Sequence, residues 1–186
     1  TYRQGIYTTP HVEVDARGPE HMMAAIRRAV ADVLRDDKIP VLLGGEHSVT
    51  LGAVQAVKAA FPGLQTLQLD AHADLRESYQ GTPYSHACIA RRIQELCPLV
   101  QAGIRSMSEE EALFLRSGAV KTFSADFILD DPDWAEKICT HLDGDVYVTI
   151  DLDVLDPSCM PATGTPEPGG VSWRHLLMLL RPLAKK

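Results

Sequence analysis

Six residues of the types that bind divalent metal ions fall on three separate segments of this sequence. They are His47, Asp70, His72, Asp74, Asp151 and Asp153. In an extended chain, residues two positions apart point to the same face, so the members of each segment are predicted to project together. Four carboxylates that meet in one place repel one another and need a compensating cation. Two divalent ions would supply that charge if some carboxylates bridge them, so the pattern predicts a two-metal hydrolase.

The segments that carry these residues each follow a short apolar run. Such runs predict strands at 41–43, 64–69, 99–102, 120–123 and 146–150, and amphipathic spacing predicts helices at 20–36, 48–60, 85–96, 112–116, 132–142 and 172–180. This alternation is typical of βαβ units with a parallel sheet and helices on both faces. Ligand sites in such sheets lie at the carboxyl ends of strands, which is where all three segments fall.

Composition narrows the class of protein. The chain has 186 residues with 45% hydrophobic content, which fits a single domain with a sizeable core. Its net charge of −7 argues against a nucleic-acid partner and is compatible with a cationic substrate. No apolar run approaches the roughly 20 residues that span a membrane, and no secretory signal is recognisable. The four cysteines form no Cys-x-x-Cys pair and are expected to be reduced thiols, so we expect a cytoplasmic protein.

Several motifs together resemble the ureohydrolase family, which contains arginases, agmatinases, guanidinobutyrases and formimidoylglutamases. The motifs are Gly44-Gly45-Glu46-His47-Ser48, Asp70-Ala71-His72-Ala73-Asp74 and Asp151-Leu152-Asp153-Val154-Leu155-Asp156-Pro157, with further agreement at 84–87, 103–106 and 164–170. The resemblance implies an arginase-like α/β fold, a three-layer α/β/α sandwich with a mainly parallel sheet. It also implies that residues 1–186 are one ureohydrolase-type domain truncated at both ends, from a protein that forms a homotrimer or homohexamer.

By this resemblance the site holds two Mn²⁺ ions. One would be bound by His47, Asp70, Asp74 and Asp151, and the other by Asp70, His72, Asp151 and Asp153, so that Asp70 and Asp151 bridge. An oxygen-rich site with two imidazoles suits Mn²⁺ or another hard-to-borderline ion. Bound ions lower the pKa of a water from ~15.7 to near neutrality, which supplies the nucleophile that a guanidinium carbon needs.

His86 is the candidate catalytic residue, as the carrier of a proton to the leaving amine. Position alone leaves two interpretations equally open, because His86 shares a predicted helical stripe with Ile89 and Ile93 and could be a packed core histidine. The resemblance favours the catalytic role, since the family has a histidine at this place after the second motif.

The substrate is predicted from two loops. The loop after Asp74 has Arg76 where arginases have an asparagine, while 83–86 and 164–170 resemble bacterial agmatinases. Agmatine, cleaved to putrescine and urea, is therefore the first choice, and guanidinobutyrate and arginine remain open. The family's guanidinium-binding glutamate is expected beyond Lys186, outside this sequence.

Two other classes of protein remain as alternatives. One is a non-catalytic, metal-stabilised interaction domain derived from the same fold, which the expected absence of the guanidinium-binding glutamate favours. The other is a different two-metal hydrolase such as a phosphoesterase. The lack of a basic or glycine-rich phosphate pocket counts against that class.

Overall fold

The computed structural model describes residues 5–185, and a parallel sheet with the strand order β3-β2-β1-β4 forms its centre. The strands are β1 (Gln65–Leu69), β2 (Leu99–Ile104), β3 (Lys121–Ser124) and β4 (Val146–Ile150). In the central pairings Leu67 lies opposite Val100 of β2 and Val148 of β4. All pairs are parallel, as the predicted βαβ units require.

Helices cover both faces of this sheet. They are α1 (Pro19–Arg35), α2 (Val49–Ala60), α3 (Ile89–Gln94), α4 (Glu109–Leu115), α5 (Ala125–Asp130), α6 (Trp134–Cys139) and α7 (Trp173–Leu183), with short 3₁₀ helices at His86–Cys88 and Leu152–Val154. Buried side chains of α1, α2 and α3 form one hydrophobic cluster, and those of α5, α6 and α7 form a second cluster. The predicted three-layer α/β/α sandwich is therefore confirmed. None of the helices in the described part of the chain is long and apolar enough to cross a membrane.

Local sequence explains where these helices begin and which face they bury. Helix α1 has a proline in its first turn, where the missing N–H costs nothing, and it buries Met23, Ile26 and Val30 at helical spacing. Ser108 and Glu111 form a capping box at the start of α4, because each side chain accepts a hydrogen bond from the other residue's backbone N–H.

The predicted strand at 41–43 is wrong. The segment forms no strand, and the exposed fractions are 81% for Val41 and 90% for Leu43. A strand needs a neighbour for its backbone hydrogen bonds, but within residues 5–185 this segment pairs with none of the four strands of the sheet. The segment instead lines an open cavity of about 1550 Å³ together with β4, α7 and the loops beyond the strand ends.

Some helix boundaries also differ from the sequence-based prediction. The single helix expected at 85–96 is a 3₁₀ turn followed by the shorter α3. Helix α5 was not predicted from the sequence. It starts directly after β3, where the Ser124 hydroxyl accepts a hydrogen bond from the Phe127 N–H. A serine that caps a helix directly after a strand leaves no loop residues to mark the change.

Candidate metal centre

Adjacent parallel strands bring the acidic segments together. Strands β1 and β4 are neighbours, and Asp70 and Asp151 come directly after their last residues. The backbone N–H of Asp151 donates to the Leu69 carbonyl at 2.8 Å, which continues the pairing up to the site. Because both strands end at the same edge of the sheet, two carboxylates that are far apart in sequence come into one place.

The first cluster centres on the buried imidazole of His47, which precedes α2. Its Nδ1 lies 2.9 Å from Asp70 Oδ2, 3.0 Å from Asp74 Oδ2 and 3.7 Å from Asp151 Oδ2. Its Nε2 is 2.9 Å from the Thr149 hydroxyl of β4. This second contact fixes the ring so that Nδ1 faces the three carboxylates.

The second cluster centres on His72. Its Nδ1 lies 3.1 Å from Asp153 Oδ2 and 3.7 Å from Asp70 Oδ1, so Asp70 presents one oxygen to each cluster. Glu167, in the loop before α7, has Oε1 3.6 Å from the other ring nitrogen, Nε2. Asp70 is thus the residue shared by the two clusters.

The donor atoms of each cluster fit a divalent ion. In two groups, His47 with Asp70 and Asp151, and Asp70 with His72 and Asp153, the ligand atoms all lie within 4.8 Å of one another. Ligands on one ion at about 2.0–2.6 Å can be up to about 5 Å apart, so each group is the right size. Carboxylate oxygens with an imidazole suit a hard-to-borderline cation better than a soft one.

The backbone reaches this arrangement differently from the expected extended chain. Asp74 adopts a left-handed conformation with φ of 52°, and a 3₁₀ turn at Leu152–Val154 follows Asp151. Asp151 caps that turn by accepting a hydrogen bond from the Asp153 N–H at 3.2 Å. The expectation that strand-like alternation orients the ligands was therefore wrong, because both strands end one residue earlier. The six side chains nevertheless converge.

Protons compensate part of the negative charge of this site. Hydrogen bonds to Asp153 and Asp70 raise the pKa of His72 to about 10. Burial opposes the charged form of His47, but Asp70 and Asp74 outweigh it and hold its pKa well above the usual value. Burial raises the pKa of Asp74 to about 7. A bound cation would displace these protons, since a ligand must be deprotonated to bind it.

A buried polar ladder that was not predicted from the sequence holds Asp70. Gln68 Nε2 donates to Asp70 Oδ2 at 2.8 Å, and Gln101 Nε2 donates to Gln68 Oε1 at 2.8 Å. Thr122 Oγ1 donates in turn to Gln101 Oε1 at 3.0 Å. Both glutamines are essentially inaccessible to solvent. A glutamine within each of two buried neighbouring strands was the signal that could have revealed this ladder.

His86 lies on the wall of the same cavity as both clusters. Its side chain is 52% exposed, while Ile89 and Ile93 are fully buried, so the predicted helical stripe does not extend to it. Its Nδ1 lies 3.7 Å from Glu46 Oε2, and its ring packs edge-on against Tyr79 at a centroid distance of 5.6 Å. The structure therefore does not place His86 in the core, which was the alternative to a functional role.

The chain is similar to known proteins over nearly its whole length. A model of the arginase family matches residues 2–186. The N(1)-aminopropylagmatine ureohydrolases of Synechocystis sp. and Thermus thermophilus are 36% and 39% identical over 96% and 98% of this chain. The solved structure of the agmatine ureohydrolase of Thermoplasma volcanium has a TM-score of 0.81 at 34% identity and covers 90% of this chain. The matched regions make up 61%, 62% and 58% of those three proteins, so the chain spans about six-tenths of their length.

Proposed function

The chain belongs to the arginase family, and from that premise we propose that its protein hydrolyses a guanidino compound to urea and an amine. The observation that carries this proposal is the pair of acidic clusters that share Asp70 and face one cavity with His86. The same arrangement supports a binuclear centre, since Asp70 directs one of its two carboxylate oxygens to each cluster.

The proposed centre holds two Mn²⁺ ions. His47, Asp70, Asp74 and Asp151 would bind one ion, and Asp70, His72, Asp151 and Asp153 the other. The ions would supply a nucleophile at neutral pH by lowering the pKa of a water. The bridging role of Asp70 is supported by its place in both clusters, whereas Asp151 belongs to the first group alone. Bridging by Asp151 therefore stays a prediction.

The protein's own residues orient the site and move a proton. Thr149 fixes the ring of His47, and Gln68 fixes one oxygen of Asp70, so both groups are held before substrate arrives. His86 would donate a proton to the nitrogen of the departing amine. Its exposed ring at the cavity wall allows this, and its contacts with Glu46 and Tyr79 limit the ring's motion.

Agmatine is the first candidate substrate, and N(1)-aminopropylagmatine is the second. Proteins named for these two compounds are among the relatives that this chain resembles. Both compounds carry a cationic tail, which suits a cavity with an excess of carboxylates. Arg76 also lies on the cavity wall, where its positive charge is partly offset by Glu111 at 3.9 Å and its guanidinium lies over the Tyr79 ring.

A urea-release assay tests the activity. Metal-loaded full-length protein is supplied with agmatine, N(1)-aminopropylagmatine, guanidinobutyrate and arginine, and kcat/KM is compared. We expect the two compounds with cationic tails to be the best substrates. If the protein binds two ions but releases no urea from any of the four, the non-catalytic domain becomes the better interpretation.

Metal stoichiometry tests the ligand assignment. Asp70→Ala should lose both ions, because Asp70 contacts both clusters, and His47→Ala should lose one. Asp151→Ala should also lose both ions if it bridges. Metal content per chain is measured by mass spectrometry after dialysis, with the exposed Asp126→Ala as the matched control. Equal loss in the Asp70 and His47 variants would contradict the shared role of Asp70.

A further inference from the structure

Arg105, directly after β2, donates hydrogen bonds to five backbone carbonyls. An arginine side chain has five N–H donors in a planar fork, so its whole donor capacity is used here. The partners are Pro168 O for Nε (3.0 Å), Gly103 O (3.2 Å) and Val154 O (3.3 Å) for Nη1, and Asp153 O (2.7 Å) and Glu167 O (2.7 Å) for Nη2. These carbonyls belong to β2, the turn after β4, and the loop before α7.

The backbone at Arg105 joins a further segment to this set. The N–H groups of Arg105 and Ser106 both donate to the Ala71 carbonyl at 2.9 Å, and the Ala73 N–H donates to the Ser106 carbonyl at 3.2 Å. These bonds hold the Asp70–Asp74 segment against the end of β2. Arg105 therefore contacts both segments that supply the second cluster.

Two of the carbonyls held by Arg105, those of Asp153 and Glu167, belong to the residues on either side of the His72 ring. Asp153 approaches His72 Nδ1 with its carboxylate at 3.1 Å, and Glu167 approaches Nε2 at 3.6 Å. The loop of Glu167 also touches Asp153 directly, because the Thr165 hydroxyl donates to Asp153 Oδ2 at 3.2 Å. The guanidinium thus fixes the backbone of both carboxylate residues relative to one imidazole.

The charge of Arg105 is not engaged in an ion pair within the described part of the chain. None of the carboxylate oxygens of residues 5–185 lies within 4 Å of its nitrogens, since its partners are all carbonyls. A lysine would keep the charge but has three donors on a single nitrogen, so it cannot reach carbonyls of three segments at once.

We propose that Arg105 is a positioning residue for the second cluster, fixing Asp153 and the loop of Thr165 and Glu167 around His72. This inference rests on the proposed metal-binding function. It assigns to Arg105 a role in the affinity for the second ion, without direct contact between its side chain and that ion. Outer partners of metal ligands typically contribute about 10–100-fold to metal affinity.

The test is a Mn²⁺ titration of full-length protein followed by electron paramagnetic resonance, which distinguishes an exchange-coupled pair of ions from a single ion. We expect the parent protein to bind two coupled ions. Arg105→Lys should bind the first ion with the parent's affinity and the second about 10–100-fold more weakly, with a single-ion spectrum at intermediate concentration. The control is Arg92→Lys, which alters an arginine paired with Glu77 and Glu95 away from the clusters.

Thr165→Val keeps the test decisive if Arg105→Lys does not fold, because Thr165 is exposed and its loss removes the loop's hydrogen bond to Asp153. It should weaken the second ion alone. The role of Arg105 would be overturned if Arg105→Lys bound the second ion with the parent's affinity. If that variant is unfolded, parent affinity for the second ion in Thr165→Val would overturn it. A parent protein that binds no second ion would overturn the proposed binuclear centre as well.

Discussion

At the scale of single residues, several carboxylates lie close together in a buried site, and their negative charge needs a compensating positive charge. Asp70 and Asp74 are nearly inaccessible to solvent, and Asp151 is close to both through His47. The raised pKa values of His47, His72 and Asp74 show that protons are retained where cations would otherwise be needed. Metal binding and proton release are therefore coupled at this site.

We predict that the metal-free protein loses stability as the pH rises from about 4 to about 10. Asp74 has a folded pKa of about 7 against an ordinary value of 3.8, so its contribution declines as the pH rises between those values. His72 has a folded pKa of about 10 against 6.5, so its contribution is complete below pH 6.5 and is lost as the pH rises through 10. Urea denaturation after treatment with a chelator, at pH 5, 7 and 9, measures this trend.

Added Mn²⁺ should oppose the same trend, because deprotonated ligands bind the ion more tightly and the bound ion stabilises the folded state. Asp74→Asn is the matched variant. Because asparagine does not titrate, this variant should lack the part of the stability loss that occurs below pH 7. A metal-free profile that is flat between pH 5 and 9 would contradict the assignment of retained protons to this cluster.

His86→Ala should lower kcat by roughly 10²–10⁴-fold in the full-length, metal-loaded protein, which is the usual contribution of a positioned acid or base. Metal content and thermal stability should be unchanged, because the side chain is half exposed and lies outside both hydrophobic clusters. The control is the exposed His21→Ala in α1. A variant with parent kcat would show that the proton travels by another route.

At the scale of elements, the start of α4 supports the metal site as well as its own helix. The buried carboxylate of Glu111 accepts hydrogen bonds from the Leu75 N–H at 2.8 Å and from both the N–H and the hydroxyl of Ser108, at 2.7 and 2.8 Å. Leu75 directly follows Asp74, which adopts the left-handed backbone conformation that few residues other than glycine, asparagine and aspartate occupy. The helix cap therefore helps to hold a candidate ligand in place.

Glu111→Ala should destabilise the protein by about 2–3 kcal/mol, because it removes the Glu111 half of the capping box and leaves buried N–H and hydroxyl groups without an acceptor. Chemical denaturation measures this loss. Glu109→Ala, an exposed residue in the same first turn, is the control and should change stability by no more than about 0.5 kcal/mol. Equal effects of the two substitutions would show that the buried hydrogen bonds of Glu111 contribute little.

At the scale of the whole molecule, the edge of the sheet at β4 has no paired strand within residues 5–185. Within residues 5–185, strand β4 pairs only with β1, and its residues line the same cavity as Ile39, Val41 and Leu43. These three side chains are 81–90% exposed. Unpaired strand edges beside apolar side chains promote pairing with another chain.

The 186-residue chain in isolation should therefore associate with a second copy of itself in a concentration-dependent way. Sedimentation velocity over a range of concentrations measures the association. The double variant Val41→Lys and Leu43→Lys should shift the chain toward monomer, because charges beside an open edge oppose pairing. Val14→Lys replaces another exposed apolar side chain outside the cavity and should leave association unchanged. A monomeric parent chain at all concentrations would contradict this prediction.

Sequence alone determined the fold class and the set of candidate ligands. Hydrophobic periodicity is a local property, so it identified the buried strands and the main helices, and the strand ends located the segments of Asp70 and Asp151. The serine and glutamate of the α4 capping box, three residues apart, are also a local pattern. In each of these cases the residues that carry the signal lie within a few positions of one another.

Only the tertiary structure decided which groups meet and which do not. The convergence of Asp70 with Asp151 depends on the adjacency of β1 and β4, which no local pattern encodes. The pairing of a strand likewise depends on a neighbour, which an apolar run does not reveal. The run at 41–43 was therefore predicted as a strand, although within residues 5–185 it pairs with no strand and lies exposed. Four of the five carbonyls around Arg105 lie 48 to 63 residues away along the chain, because a hydrogen-bond partner is chosen by position in space. Residue types thus indicate what chemistry is available, and the packing of the strands decides which atoms can carry it out together.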